Sequence, residues 1–161
     1  MKTAAITLFL LCSLCLKATE QVSDLLIYKN DTIYLDSYPL EVLINSNSKI
    51  AKRLSDNIDC LKTSCWRQHI GIWKIEGDSL FLIGLKECCD YKPISLTKIF
   101  DRKQIQKQKV YANWYSAEIE TGFGKRLGVS EKLEYIYEKK IKLRIRNGKV
   151  ESIEIENTKN K

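Results

Sequence analysis

Cysteine, histidine and glutamate side chains are the groups in this 161-residue chain whose types and spacing could support metal binding or catalysis. Cys60 and Cys65 are separated by four residues, Cys88 and Cys89 are adjacent, and His69 is the only histidine. Structural zinc sites need paired Cys-x-x-Cys spacings, and adjacent cysteines point to opposite sides of a strand. The spacing therefore disfavours zinc, and we predict that the protein uses neither a metal nor another cofactor.

Catalysis by an activated cysteine or serine would need His69 as the base. His69 stands near the start of a strand that continues through Gly71 and Trp73, and this position predicts a packed histidine. Glu118 and Glu120 share one face of another strand, where neighbouring carboxylates more often form a solvated row than a glycosidase pair. We therefore predict that the protein is not an enzyme.

Residues 1–18 have the pattern of a secretory signal peptide. Lys2 supplies a positive start, Ala4–Leu16 is an apolar run, and Ala18 is a small residue at the predicted cut. The run is shorter than the roughly 20 apolar residues that a membrane-spanning helix needs. Neither Cys12 nor Cys15 follows the small residues that a lipoprotein signal requires. We predict cleavage after residue 18, export to the periplasm or the extracellular space, and no transmembrane span.

The remaining chain shows no internal repeat and no linker, which predicts a single β-rich domain over residues 22–156 and a disordered tail, 157–161. Residues 49–56 suit two helical turns with Ile50 and Leu54 on one side. Alternating apolar runs predict strands at Leu25–Tyr28, Thr32–Leu35, Ile70–Ile75, Leu80–Leu85, Val110–Ile119, Lys140–Arg146 and Lys149–Ile155. We predict a mainly β fold, either an antiparallel sandwich or a strongly curved antiparallel sheet, with one or two short helices.

Two hairpin turns, Gly77-Asp78 and Asn147-Gly148, predict the register of their strands. The first pairs Ile75 with Leu80, Trp73 with Leu82 and Gly71 with Gly84. The second would place Ile153 on the polar face of its partner strand, so we expect a β-bulge near Ser152 to restore the phase.

The same register bears on the cysteines, because an even number in an exported chain favours disulfides over thiols. When the register of the first hairpin is extended towards the N-terminus, Cys65 lies opposite a position one residue away from the Cys88-Cys89 pair. This favours bridges from Cys60 and Cys65 to Cys88 and Cys89, with Cys65–Cys89 and Cys60–Cys88 ranked first. The other cross-pairing stays open, as do buried free thiols.

A series of short segments lies in order along the chain. They are Pro39-Leu40-Glu41, Trp66-Arg67 with Ile70, Trp73-Lys74-Ile75, Leu80-Phe81-Leu82, Val110–Ser116, Gly124-Lys125, Ile136-Tyr137-Glu138 and Asn147–Val150. Together they resemble a family of small, exported, uncharacterised β-rich proteins of Bacteroidota. Gly-Tyr commonly follows the Trp-Arg pair in that family, where this chain has Gln68 and His69. The resemblance implies an exported single-domain protein and implies no activity.

Positive charge is concentrated in one part of the chain. The formal net charge of +7 falls to +5 without residues 1–18, and residues 98–149 alone carry +8. Lys140, Lys142, Arg144 and Arg146 share one face of a strand, which either blunts an exposed sheet face or contacts an anion. The strand aromatics are Trp66, Trp73, Tyr111, Trp114 and Tyr115, and most of them are expected in the core. In the strand from Val110, Tyr111 and Tyr115 share one face and Trp114 the other, so at most one of these sets would form an exposed stacking platform.

These features predict an exported, non-catalytic binding protein of the cell envelope or periplasm. Its candidate anion contact is the basic strand face of Lys140, Lys142, Arg144 and Arg146, and its partner would be an anionic envelope component or an acidic protein. The predicted compartment argues against nucleic acid. The alternative is an inhibitor or immunity-type protein that blocks another exported protein.

Overall fold

The computed structural model describes residues 21–130 and 135–158. The predicted signal peptide and residues 159–161 of the predicted tail lie outside the described residues. The described strands are β1 (Asp24–Tyr28), β2 (Asp31–Leu35), β3 (His69–Glu76), β4 (Ser79–Glu87), β5 (Pro93–Ile94), β6 (Ile105–Gln106), β7 (Lys109–Tyr111), β8 (Ala117–Val129), β9 (Tyr135–Arg146) and β10 (Lys149–Asn157). The described α-helices are α1 (Pro39–Ser46), α2 (Ser48–Ser55) and α3 (Leu96–Ile99).

One strongly curved sheet contains all of these strands. Its main order is β2-β1-β3-β4-β10-β9-β8, and the short β5 and β7 pair with β4 while β6 pairs with β7. The sheet curves until its two ends meet, where Thr121 Oγ1 on β8 donates a 3.0 Å hydrogen bond to Tyr34 O on β2. The predicted curved sheet with short helices is therefore confirmed, and the two-layer sandwich does not form.

One strand pair departs from the predicted antiparallel pattern, because β1 and β3 run parallel with Leu25 opposite Ile72. Parallel neighbours need a long crossover, and α1 and α2 provide it between β2 and β3. Helix α2 matches the prediction: Asn47 Oδ1 accepts from Ile50 N at 3.2 Å at its start, and Ile50 and Leu54 are buried. No helix within residues 21–130 or 135–158 is both long and apolar enough to cross a membrane.

The predicted strand Val110–Ile119 is wrong, because the chain turns within it. Tyr115 N donates 2.9 Å to Ala112 O, which closes a turn between β7 and β8. Trp114 Nε1 donates 2.9 Å to Pro39 O and ties this turn to α1. The segment has high β propensity and no Gly or Pro, which outweighed the turn-favouring Asn113 and Ser116 in the sequence pattern.

The hydrophobic core fills the inside of the curve. Its fully buried members include Leu26, Ile33, Leu40, Trp73, Leu82, Ile141 and Leu143. Of the other aromatic residues expected in the core, Tyr115 is buried, and Tyr111 and Trp114 are partly buried. Trp66 is the exception, because most of its side chain is exposed.

Both hairpins carry a bulge, and only one of the two is predicted. In β9–β10 the register shifts between Val150 and Ser152, which places Ile153 opposite Leu143 on the apolar face, as expected. In β3–β4 Trp73 pairs with Leu82 as predicted. A second shift between Ile72 and Trp73 then pairs Gly71 with Leu85 instead of Gly84.

Two disulfides join Cys60 to Cys89 and Cys65 to Cys88. The predicted bridging between the two cysteine segments is confirmed, but the pairing ranked first is wrong. The strand register does not extend back from β3, because Gln68 has a φ of +66° and Thr63–Cys65 forms a 3-10 turn.

Candidate functional site

The predicted anion contact lies on the outer face of β9, between rows of glutamates on β8 and β10. The register places Glu118 opposite Arg144 and Glu120 opposite Lys142. Every one of the four cations pairs with a carboxylate: Lys140–Glu120 (3.6 Å), Lys142–Glu120 (3.9 Å), Lys142–Glu156 (3.7 Å), Arg144–Glu118 (2.8 Å) and Arg146–Glu151 (2.9 Å). This surface therefore presents alternating charges of both signs, and an anion would compete with glutamates already in place.

Two shallow depressions lie on the same face. One has a volume of about 170 Å³, and its lining includes Glu118, Glu120, Lys142 and Arg144. The other has a volume of about 430 Å³, within the roughly 300–1,000 Å³ of usual small-molecule sites, and its lining includes Glu118, Arg144, Arg146 and Glu151. Carboxylates line both depressions beside the cations. Glu118 and Glu120 thus form the solvated, ion-paired row that their spacing predicts.

Replacing Lys140, Lys142, Arg144 and Arg146 together by Gln should lower the melting temperature by a few degrees at low salt. The glutamates of β8 and β10 would then face each other across β9 without compensation. Differential scanning calorimetry at about 10 mM and about 500 mM NaCl would measure this, because salt screens such repulsion. An equal loss at both salt concentrations would show that the ion pairs are not the cause.

A buried charged cluster lies at the start of β1 and β3. Asp24 is fully buried, and its carboxylate accepts hydrogen bonds from Arg67 Nη1 (3.0 Å), Gly71 N (3.0 Å) and Trp73 Nε1 (2.9 Å). Arg67 also donates through Nη2 to Val22 O. This single carboxylate on β1 therefore links that strand to β3 and to the loop before β3.

Two features pack this cluster tightly. The Arg67 guanidinium lies 3.5 Å from the centre of the Tyr38 ring, so the cation is stacked as well as paired. A Cβ atom on Gly71 would lie 2.6 Å from Asp24 Oδ2 and 2.5 Å from Trp73 Nε1. Only glycine therefore lets the carboxylate approach β3 this closely.

His69 is buried beside this cluster, as its position predicts. Its Nδ1 donates 2.7 Å to Arg67 O, which leaves Nε2 as the lone-pair nitrogen of the neutral ring. Nε2 lies 3.6 Å from Glu41 Oε1. Burial lowers the pKa of His69, and burial raises the pKa of Glu41. A buried ring in this setting is a packing element and has no open path to a substrate.

The lowered pKa of His69 gives the stability of the protein a pH dependence. The unfolded chain takes up a proton near the ordinary value of 6.5, and the folded protein resists it. The free energy of unfolding should therefore fall as the pH drops below about 6.5. Glu41 has the opposite effect, because its pKa is raised in the folded protein. Its protonation increases the free energy of unfolding as the pH falls from that raised value to 4.5. Urea unfolding of the protein and of His69→Gln at pH 7.5 and 5.5 tests this, and an identical pH slope in both would contradict it.

Three large side chains at the disulfide end are exposed. Leu61 is 88 % exposed, Trp66 74 % and Tyr91 53 %. Each lies within two residues of a bridged cysteine, and the bridges hold the paired Cα atoms 5.8 and 6.3 Å apart. We call Leu61, Trp66 and Tyr91 the clasp patch. Large exposed apolar side chains are typical of contact surfaces, and these three follow cysteines that the bridges hold near one another.

The backbone beneath the clasp patch is held firmly. Val22 N donates 2.7 Å to Ser64 O, and Trp66 N donates 3.2 Å to Gln21 Oε1. Cys88 N donates 3.1 Å to Gln68 O and links the two loops. Because the loops are already ordered, binding at the clasp patch would lose little conformational entropy.

Charges of both signs surround the clasp patch. Exposed Asp59 and Lys62 flank Leu61, and Asp90 and Lys92 flank Tyr91. Lys92 Nζ lies 2.6 Å from Asp90 Oδ2. The four charges cancel formally, so this end does not select a strongly charged partner of either sign.

Protein-family models, curated proteins and solved structures all gave no match. Among residues 21–130 and 135–158, no three His, Cys, Asp or Glu side chains gather as a metal site would require.

Proposed function

We propose that the protein is an exported, non-catalytic binding protein of the cell envelope or periplasm, and that the clasp patch is its contact surface. The observation that carries this proposal is the 74 % exposure of Trp66 on a loop fixed by two disulfides. Burying an indole is among the largest gains that one side chain brings to binding, so an unburied Trp on a rigid loop suits recognition.

The chemistry of the clasp patch suits an uncharged or weakly charged envelope saccharide. The C–H face of a sugar ring stacks on the flat faces of Trp66 and Tyr91, and the Leu61 side chain adds apolar area. Asp59 and Lys62 are exposed within two residues of Leu61 and would supply hydrogen bonds to sugar hydroxyls. A basic contact on β9 has less support, because its cations already pair with glutamates.

The disulfides and the positions of His69, Glu118 and Glu120 support this role. Two disulfides suit an oxidising compartment outside the cytoplasm. His69 is buried, and Glu118 and Glu120 are ion-paired on the surface of the sheet. These positions support a binding role over hydrolysis.

Trp66→Ala should weaken binding to oligosaccharides released from the host envelope by about tenfold or more, measured by isothermal titration calorimetry. Stacking on one aromatic ring is worth about 1–3 kcal/mol in comparable ring-on-ring contacts, and about 1.4 kcal/mol corresponds to tenfold. Trp66→Phe should retain part of the affinity. Tyr135→Ala, which removes an exposed aromatic side chain from β9, is the matched control. Equal loss in the Tyr135 and Trp66 variants would sink the proposal.

An inhibitor or immunity-type protein is the second candidate. It is favoured by the sheet edge of β10, which lacks a neighbouring strand over most of its length among the described residues. A stable one-to-one complex with an exported protein would support this candidate.

A further inference from the structure

Strand β10 pairs on one side only for most of its length. On that side β10 pairs with β9 from Lys149 to Asn157. On the other side, pairing with β4 is confined to Lys149 opposite Ser79, next to the hydrogen bond from Val150 N to Asp78 O at 2.7 Å. Beyond that point β4 pairs with β7 and β5 instead. Within the described part of the chain, Ser152–Asn157 therefore forms an open sheet edge.

The two faces of this edge differ in chemistry. Glu154 and Glu156 lie on the outer face, in register with Lys142 and Lys140 of β9. On the inner face, Ile155 is in register with the fully buried Ile141, yet it is 45 % exposed. The apolar layer and the charged layer of the sheet thus both stop at β10, where a further strand would continue them.

We propose that the Ser152–Asn157 edge binds an extended segment of another protein by strand addition, and that this segment alternates apolar and cationic residues. Backbone hydrogen bonds to the open edge would supply affinity, and alternate side chains would supply selectivity. Apolar residues of the segment would cover Ile155, and its cations would lie beside Glu154 and beside Glu156, which already pairs with Lys142 at 3.7 Å. The same strand chemistry already pairs with β10 on its other side, in β9.

A second copy of this chain is a poor occupant of the edge. Directly opposite residues in an antiparallel pair lie on the same face of the sheet. With their outer faces on the same side, two copies of β10 would set isoleucines against isoleucines but also glutamates against glutamates or Ser152. With their outer faces on opposite sides, they would set glutamates against isoleucines. Like charges across an edge are a known means of preventing self-association. The charge of the edge selects a cationic partner instead.

A synthetic peptide with the sequence of Lys140–Arg146 is the probe that the structure supplies. Nuclear magnetic resonance should show slowed amide exchange at alternate residues of Ser152–Asn157 when this peptide binds. A peptide with its four cations changed to Glu should bind at least tenfold more weakly. In the protein, Ile155→Lys should weaken binding tenfold or more, and Val42→Lys, at an equally exposed site on α1, should leave it unchanged.

Three results would overturn the proposal. In the first, the peptide does not bind. In the second, it binds to the Ile155→Lys protein with the same affinity as to the wild type. In the third, the edge amides become protected without peptide as the protein concentration rises. The last result would assign the edge to a second copy. Trp66→Ala should not alter peptide binding, so failure here is distinguishable from failure of the saccharide proposal.

Discussion

Replacing Asp24 by Ala is expected to lower the free energy of unfolding by about 3–5 kcal/mol, because the change leaves the Arg67 guanidinium buried without its counter-charge. The indole N–H of Trp73 and the amide of Gly71 would also lose their acceptor. Urea denaturation followed by far-UV circular dichroism measures the effect. Asp56→Ala, which removes an exposed carboxylate paired with Lys52, is the matched control and should change stability little.

A double-mutant cycle separates this ion pair from general damage to the fold. Asp24→Asn and Arg67→Gln each leave one buried partner unmatched, so the double variant should lose less stability than the two single losses combined. Strict additivity, or a loss below about 1 kcal/mol for Asp24→Ala, would show that the buried pair does not hold β1 to β3.

Removing either disulfide alone is expected to lower the free energy of unfolding by about 2–3 kcal/mol, because each bridge restricts the unfolded chain by closing a ring. The sequence separations are 29 for Cys60–Cys89 and 23 for Cys65–Cys88, which predicts nearly equal effects of the two Cys→Ser pairs. The loops are nested, so with one bridge in place the other closes a ring of only about eight residues. The four-serine variant also opens the long loop of the remaining bridge, worth about 3.5 kcal/mol, and should therefore lose more than twice the effect of one bridge.

Guanidinium chloride titration of the three variants tests this expectation. The reduced wild-type protein serves as the control for the four-serine variant, since both lack the bridges but only one has new side chains. A loss of less than about 1 kcal/mol for either pair would mean that the bridges do not stabilise the fold through the unfolded chain.

Local signals predicted the turns of the β3–β4 and β9–β10 hairpins and the register of β9–β10, because their determinants lie within a few residues, but they missed the shift between Ile72 and Trp73. Asn147-Gly148 set the β9–β10 turn, and the misplaced phase of Ile153 was enough to predict the bulge at Ser152. Helix α2 followed from the spacing of Ile50 and Leu54. These features need no knowledge of the rest of the molecule.

Long-range features were harder to predict. Extending the β3–β4 register back to the cysteines predicted the wrong disulfide pairing, because the extension assumed that β3 continued past Gln68. The buried role of Asp24 depends on Arg67, Gly71 and Trp73, which are more than forty residues away. One local signal was present, because Asp24 shares the inward side of its strand with Leu26.

The candidate site changed most between sequence and structure. The basic row of β9 was recognised from its alternation, but the glutamates that pair with it come from β8 and β10 and need the sheet register to be placed. Trp66 was expected in the core with the other aromatics. Its exposure follows from the 3-10 turn and the Cys65–Cys88 bridge, and neither follows from the composition of that segment.

Acrylamide quenching of tryptophan fluorescence tests the clasp patch most directly. Trp73 is buried and Trp114 is partly buried, so the exposed Trp66 dominates quenching in the free protein. Saturating envelope oligosaccharide should reduce the Stern–Volmer constant of the wild type towards that of unliganded Trp66→Phe. If the oligosaccharide binds and the constant of the wild type stays unchanged, the ligand lies elsewhere and the clasp patch is not the contact surface.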